Sequence, residues 1–228
     1  MVSFDRDEIT RAIGILKPEG ELYEVRIVKG LTVMSGYFSG ADALVKELQG
    51  QDLARANVYM TIQQLHEGCA ARWQWNCFIN ASREKLPTTS DKDITRYKFI
   101  PIDLDPVRPA GISSTEEELR HAHSLCPQIV EYMSEQGFKD YVYAFSGNGY
   151  HLLYRVDMPN NEESVQTMQG YLRRLDEVFS NEFCHVDTTT YNPARVLKLY
   201  GTIAQKGRYT ENRPHRMSKI LRVHHGTV

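Results

Sequence analysis

The 228-residue sequence has no apolar run approaching the roughly 18 residues that a membrane span requires, and its start, Met1-Val-Ser-Phe-Asp-Arg-Asp, lacks the apolar core of a signal peptide. A cytoplasmic protein is therefore expected. It has only four cysteines, Cys69, Cys77, Cys126 and Cys184, and no two of them form a C-x-x-C pair. That spacing argues against a zinc ribbon or a disulfide framework and for reduced thiols. A Cys/His site built from His66, Cys69 and Cys77 is the one metal alternative in that region. Internal repeats and low-complexity tracts are missing too, which sets aside solenoids and disordered linkers.

What is present is ordinary globular material, 41% hydrophobic and 25% charged, enough for one large domain or two joined modules. Net charge is only -2, yet it is unevenly spread. From Asp187 to Val228 there are eight Lys/Arg against two Asp/Glu, so this end is positive and the rest is acidic. A basic end of that kind suits phosphates.

Apolar spacing predicts a helix over Phe4–Leu16, a strand over Leu22–Val28, a turn between Gly36 and Gly40, a short helix over Ala41–Leu48 and a strand over Asn57–Ile62. Residues 1–95 thus read as an N-terminal α/β module, with the polar stretch Asn80–Asp93 as the boundary loop. From residue 96 the order is strand (Tyr97–Leu104), helix (Thr115–Gln136), two strands (Tyr141–Phe145, Tyr150–Val156), helix (Asn161–Ser180) and an extended piece near Val186. That is the βαββαβ order of a ferredoxin-like or RNA-recognition-motif core, over residues 96–228 with a basic C-terminal segment. The fold class expected is α/β (α+β), with the active site between the modules. Pro101 is awkward inside its strand, because it lacks a ladder donor, so a bulge or an edge is expected there.

Three segments carry chemistry. Asp103 and Asp105 stand two apart at the end of an apolar strand, on one face, where both carboxylates can reach one metal or bridge two. An Asp-Pro step such as Asp105-Pro106 is also a common turn opener. The second segment, Ser146-Gly147-Asn148-Gly149-Tyr150-His151, is a glycine-bearing turn able to present N–H groups, hydroxyl and amide donors, and the His151 ring to an anion. A plain hairpin would use the same residues. The third has Asp187 after the second helix, followed by Arg195 and Lys198, permanent cations suited to phosphates.

In this order, the acid-x-acid pair, the S-G-N-G-Y-H segment and the late single acid with its Arg/Lys pair resemble the catalytic core of archaeo-eukaryotic primases. The likeness extends to the related phage- and plasmid-type primase-polymerases. It covers most of the chain and is strongest from about Arg96 to Lys219. The resemblance implies that Asp103, Asp105 and Asp187 hold two catalytic Mg²⁺ or Mn²⁺ ions and that His151 contacts the phosphates of an incoming nucleotide. It implies further that Ser146, Gly147, Asn148, Gly149, Arg195, Lys198 and, more loosely, Lys206 bind the nucleotide. Many members have a basic residue where Asn148 stands, and the cysteine spacing does not provide the zinc-binding stem of some relatives.

The activity implied is template-directed nucleotidyl transfer, as a DNA primase or DNA polymerase, with single-stranded DNA and deoxy- or ribonucleoside triphosphates as partners. Relatives are often joined to a helicase and serve prokaryotic, plasmid or viral replication. The basic tail offers Arg208, Arg213, Arg216, Lys219 and Arg222 to a template. Trp73, Trp75, Tyr97 and Tyr209 are candidates for base stacking, with Trp73 and Trp75 better suited to the core. Two other readings use the same core. A metal-dependent nuclease or replication-initiator endonuclease needs a His-apolar-His metal pair, and His121-Ala-His123 falls within a helix, where i and i+2 diverge. A non-catalytic RNA-binding module needs aromatics where Asp103 and Asp105 stand.

Overall fold

The computed structural model describes residues 4–226. Helix α1 (Arg6–Leu16) starts at Asp5, whose carboxylate accepts from the N–H groups of Asp7 and Glu8, and it buries Ile9, Ala12, Ile13 and Leu16 at helical spacing. Strands β1 (Tyr23–Lys29) and β2 (Thr32–Phe38) form a hairpin, followed by α2 (Ala41–Gln49), β3 (Asn57–Thr61), β4 (Gln64–Leu65), β5 (Ile79–Asn80) and the single-turn α3 (Ala81–Glu84). The long β6 (Ile94–Pro106) leads to α4 (Glu116–Glu135), β7 (Tyr141–Phe145), β8 (Tyr150–Pro159), α5 (Glu162–Phe179) and β9 (Cys184–Val186). Short strands close the chain: β10 (Val196–Lys198), β11 (Ile203–Ala204), β12 (Arg216–Met217) and β13 (Lys219–His224).

These elements make two antiparallel sheets, in the orders β10-β3-β1-β2-β5 and β13-β7-β8-β6-β4, with β9 also on β6 and β11 paired to β12. Within the second sheet the run β7-β8-β6-β9 is the pairing order of a βαββαβ unit, and α4 and α5 cover one face of it. The α/β class expected from the sequence is what the structure has. Strands cross residue 95 in both directions: β10 completes the first sheet and β4 lies on β6 of the second. No helix among the described residues is long and apolar enough to cross a membrane.

Strand alternation divides the core. On β6, Tyr97, Ile100, Ile102 and Leu104 face α4 and α5, together with Leu152 and Tyr154 of β8. Phe99 of β6, Val142 and Ala144 of β7 and Leu153 of β8 face the other way, into a second core with α1, α2 and the Val25, Ile27, Val58 and Met60 face of the first sheet. Asp103 and His151 share this second face and are directly paired across β6 and β8. The apolar alternation that builds the sheet therefore also fixes where the acid and the imidazole point.

Pro101 finds its place in a gap. β4 pairs with β6 at Ile94 and Arg96, β9 pairs from Leu104 to Pro106, and between them Thr190 Oγ1 donates to the Pro101 carbonyl at 2.8 Å. Its missing N–H faces that interruption in the ladder. Helix α4 opens with a reciprocal capping box between Thr115 and Glu118, as the sequence suggests, and Gly137 follows it at φ 90°.

Three expectations need correction. Gly36 lies inside β2 rather than at a turn. A Cβ there would stand 2.7 Å from both the Cys77 carbonyl oxygen and the Phe38 ring, so the glycine admits a crossing segment. Trp75 is 48% exposed and is not core, whereas Trp73 is half-buried against Tyr37. Tyr97 cannot stack on a base, because it is fully buried and its hydroxyl donates to the Tyr191 carbonyl.

Of the residues weighed for a zinc site, Cys69 is buried in a small apolar cluster with Leu22, Tyr37, Leu65 and Ile94. His66 Nδ1 accepts from the Gly68 N–H at a helical cap, and Cys77 Sγ donates to the Gln74 carbonyl.

Candidate active site

A cleft of about 440 Å³ opens between the two sheets. One wall comes from the second sheet and the segments around it, Asp103, Asp105, Ser146, Asn148, His151, Asp187, Arg195 and Lys206, and Lys198 reaches the cleft from β10 at the edge of the first sheet. The structure thus brings all three acids, the histidine and three cations into one cleft, although they are as much as a hundred residues apart. The C-terminal end of β6 supplies Asp103 and Asp105. Asp187 is held beside them because its N–H donates to the Asp103 carbonyl at 2.9 Å where β9 leaves β6.

His151 Nε2 lies 3.5 Å from Asp103 Oδ1, and its Nδ1 is 2.7 Å from the Tyr200 hydroxyl. Burial raises the Tyr200 pKa well above the ordinary tyrosine value, with the Asp103 charge adding to it. A hydroxyl kept protonated in this way can donate to Nδ1, which leaves the Nε2 proton facing Asp103.

Asp103 Oδ1 is buried and accepts no hydrogen bond within geometric limits. Burial pushes this carboxyl up, but His151, Lys206 and Arg195 outweigh it and hold it below the usual range. Asp105 moves the other way, raised by burial and the Asp103 charge, with Arg108 and Lys206 opposing. Arg108 donates to Asp105 Oδ1 at 3.2 and 3.3 Å, and Arg195 to Asp187 Oδ2 at 2.9 Å. Asp187 Oδ1 accepts from the N–H and hydroxyl of Thr189. Among the described residues no three metal-ligating side chains close into a cluster in this arrangement.

The glycine turn has a steric cause. Gly147 is at φ 97°, and a Cβ on it would run into Ala204. A Cβ on Gly149 would run into the Leu104 carbonyl oxygen and come within 3.3 Å of Asp105 Oδ1. The β7–β8 hairpin therefore lies directly against the end of β6 that carries the acids. Asn148 is buried and fastened, its amide oxygen accepting from the Ser114 N–H and its carbonyl from the Ser114 hydroxyl. Ser146 stays half-buried at the cleft.

Lys198 is 6% exposed, and its ammonium donates to the Ile203 carbonyl at 2.8 Å and lies 5.6 Å from the centre of the Tyr59 ring. Burial, with Lys206 nearby, brings its pKa down to about 7.

The basic C-terminal residues do not act alike. Arg213 makes two bonds to Glu118, at 2.7 and 2.8 Å, and Arg216 pairs with Glu116 at 2.6 Å, so both tie this segment to the acidic start of α4. Arg208, Lys219 and Arg222 are exposed, as is Tyr209. His121 stacks on Phe183, and His123 lies on the outside of α4 against Tyr143 and Tyr150.

Sequence reading missed Arg26, Val28, Val33, Asn57 and Tyr59, which form the opposite wall with Thr88, and also Arg108 and Tyr200. The one signal available was the alternation on β1, where Glu24 and Arg26 fall on a face too polar for a plain core.

The fold is that of a mixed α/β domain built on two antiparallel sheets. No protein-family model and no curated protein matches the chain. Among solved structures it is similar to that titled "Crystal structure of primase RepB'", with a TM-score of 0.51 and 11% sequence identity. The match covers 95% of this chain and 56% of that one, and at this identity it shows the fold.

Proposed function

We propose that this chain is the catalytic domain of a primase-polymerase, a nucleotidyltransferase that builds nucleic acid on a single-stranded DNA template from nucleoside triphosphates. The observation that supports this reading most is the convergence of Asp103, Asp105, Asp187, His151, Arg195, Lys198 and Lys206 on one cleft. The primase-like fold is consistent with it.

The residues present suit a divalent metal. Asp103 Oδ1 is a buried carboxylate oxygen that accepts no hydrogen bond, its nearest donor being His151 Nε2 at 3.5 Å, and Asp105 and Asp187, now paired with Arg108 and Arg195, would exchange those guanidinium contacts for the ion. Asp103, Asp105 and Asp187 would hold Mg²⁺ or Mn²⁺, which when bound activates an attacking hydroxyl and offsets charge on phosphate oxygens. In the reaction a 3′-hydroxyl attacks the α-phosphate in line, forming a P–O bond as pyrophosphate leaves. Lys206 and Lys198 stabilise the leaving group, joined by Arg195 once it turns from Asp187. His151, oriented by Tyr200, and Ser146 steady the triphosphate.

The test is incorporation of labelled nucleotides on single-stranded DNA with Mg²⁺ or Mn²⁺, with and without a primer. Product without primer identifies a primase, and product with primer alone identifies a polymerase. Both should vanish in Asp103→Ala/Asp105→Ala. A folded, template-binding protein that incorporates nothing would refute the reading.

A further inference from the structure

Strand pairing sets the acids of the cleft in rows. Buried Leu104 of β6 pairs with buried Val186 of β9, and both belong to the core under α4 and α5. The residues flanking that pair, Asp103 and Asp105 on β6 and His185 on β9, therefore point to the opposite face, the one that carries the cleft. Asp103 is paired with His151 of β8, and the Asp187 N–H donates to the Asp103 carbonyl, so His151, Asp103 and Asp187 form one row. The next row holds Asp105 between Gly149 and His185. His185 stands directly opposite Asp105, and a Cβ on Gly149 would come within 3.3 Å of Asp105 Oδ1.

The two imidazoles beside the acids differ. His151 is buried, with Nε2 3.5 Å from Asp103 Oδ1 and Nδ1 2.7 Å from the Tyr200 hydroxyl, so both of its nitrogens are occupied. His185 is exposed, whereas Cys184 and Val186 on either side of it are buried and do the packing of β9. Directly opposite residues of an antiparallel pair have Cβ atoms about 4.5–5.5 Å apart, close enough for a carboxylate and an imidazole to share one ion. In this row Gly149 offers no side chain, so the donor available beside Asp105 is the His185 ring.

Resting on the metal site of the proposed function, we infer that His185 is a nitrogen ligand of the ion held by Asp105, and that it tunes the site toward Mn²⁺ and away from Mg²⁺. Mg²⁺ takes oxygen ligands and gives up its water reluctantly. Imidazole nitrogen suits the transition divalents, and Mn²⁺ accepts it together with carboxylate oxygen. The Asp103–Asp187 row, with oxygen donors only, suits either ion, whereas the mixed Asp105–His185 row separates them. A neutral ring also adds a donor without adding a fourth negative charge to three neighbouring carboxylates.

The experiment is titration of the whole chain with Mn²⁺, followed by electron paramagnetic resonance, with echo-envelope modulation reporting nitrogen bound to the ion and Mg²⁺ measured by competition. The wild type should show nitrogen modulation and bind Mn²⁺ about tenfold or more tighter than Mg²⁺. In His185→Ala the modulation should disappear and Mn²⁺ binding weaken about tenfold, while Mg²⁺ binding stays within about threefold. His185→Asp, which replaces nitrogen by oxygen, should hold Mg²⁺ at least as tightly as the wild type and lose most of the preference for Mn²⁺. Circular dichroism checks folding of both variants. Equal weakening of both ions in His185→Ala would mark a merely structural role and overturn the inference. Nitrogen modulation that survives in His185→Ala and is lost in His151→Gln would assign the ligand to His151 instead, leaving the metal site standing. A wild type that binds no Mn²⁺ at millimolar concentration would remove the metal site and the part of His185 together.

Discussion

Lys198 shows how much one side chain depends on its surroundings in this cleft. Its pKa of about 7 lies far below the ordinary lysine value of about 10.4, because burial removes the water that would solvate the ammonium and Lys206 adds repulsion. With the folded-state value depressed, the unfolded chain binds more protons between about pH 7 and 10, so this lysine's penalty is complete below pH 7 and is relieved as pH rises. Relative to Lys198→Met, the wild type should gain roughly 1 kcal/mol of stability per pH unit across that window, measured by urea unfolding at pH 7, 8 and 9. Parallel pH profiles would contradict the assignment. In the proposed function a bound triphosphate would supply the missing counter-charge. This lysine was legible in the sequence as a cation after a late acid. Its burial, and its ring contact with Tyr59 on β3, were not, because both depend on a strand from residue 196 joining a sheet begun at residue 23.

At the scale of elements, the β7–β8 hairpin and the end of β6 act as one piece. Gly149→Ala places a methyl group against the Leu104 carbonyl, a backbone atom that cannot move without shifting Asp103 and Asp105. It should cost about 1–3 kcal/mol or more and reduce nucleotide incorporation beyond the loss in folded protein, read by urea unfolding alongside turnover. Full stability with full activity would show that hairpin and strand are not pressed together. The helices and long strands of both sheets followed apolar periodicity closely. What escaped were β2, the two-residue β4 and β5, and the four strands after residue 195. Gly36 in β2 mimics a turn residue because its role, passage of the Cys77 segment, is a tertiary fact. β10 to β12 have two or three residues each, too short for any period to register. The basic residues among them read as one phosphate-binding tail, yet Arg213 and Arg216 are spent on Glu118 and Glu116, a pairing that local spacing does not announce.

The whole molecule is tied together by exchanged strands. β10 closes the edge of the first sheet, β4 lies on the second, and one apolar core contains Ile13, Met60, Leu153 and Ile220 from along the entire chain. Residues 1–95 and 96–228, distinct as sequence patterns, should therefore unfold in one transition, with calorimetric and van't Hoff enthalpies equal; two separate transitions would contradict this. The same joining places the acid-bearing wall and the Arg26 wall across one cleft, which neither sheet could form alone. The acids and His151 were readable from their order along the chain, whereas the Arg26 wall became visible only with the sheets assembled. The most direct measurement is single-nucleotide incorporation on homopolymer single strands with Mn²⁺. On a dT strand adenine nucleotides alone should be joined, on a dC strand guanine nucleotides alone, and Asp103→Asn should abolish both. Incorporation that ignores the template base, or that survives Asp103→Asn, would contradict template-directed transfer in this cleft.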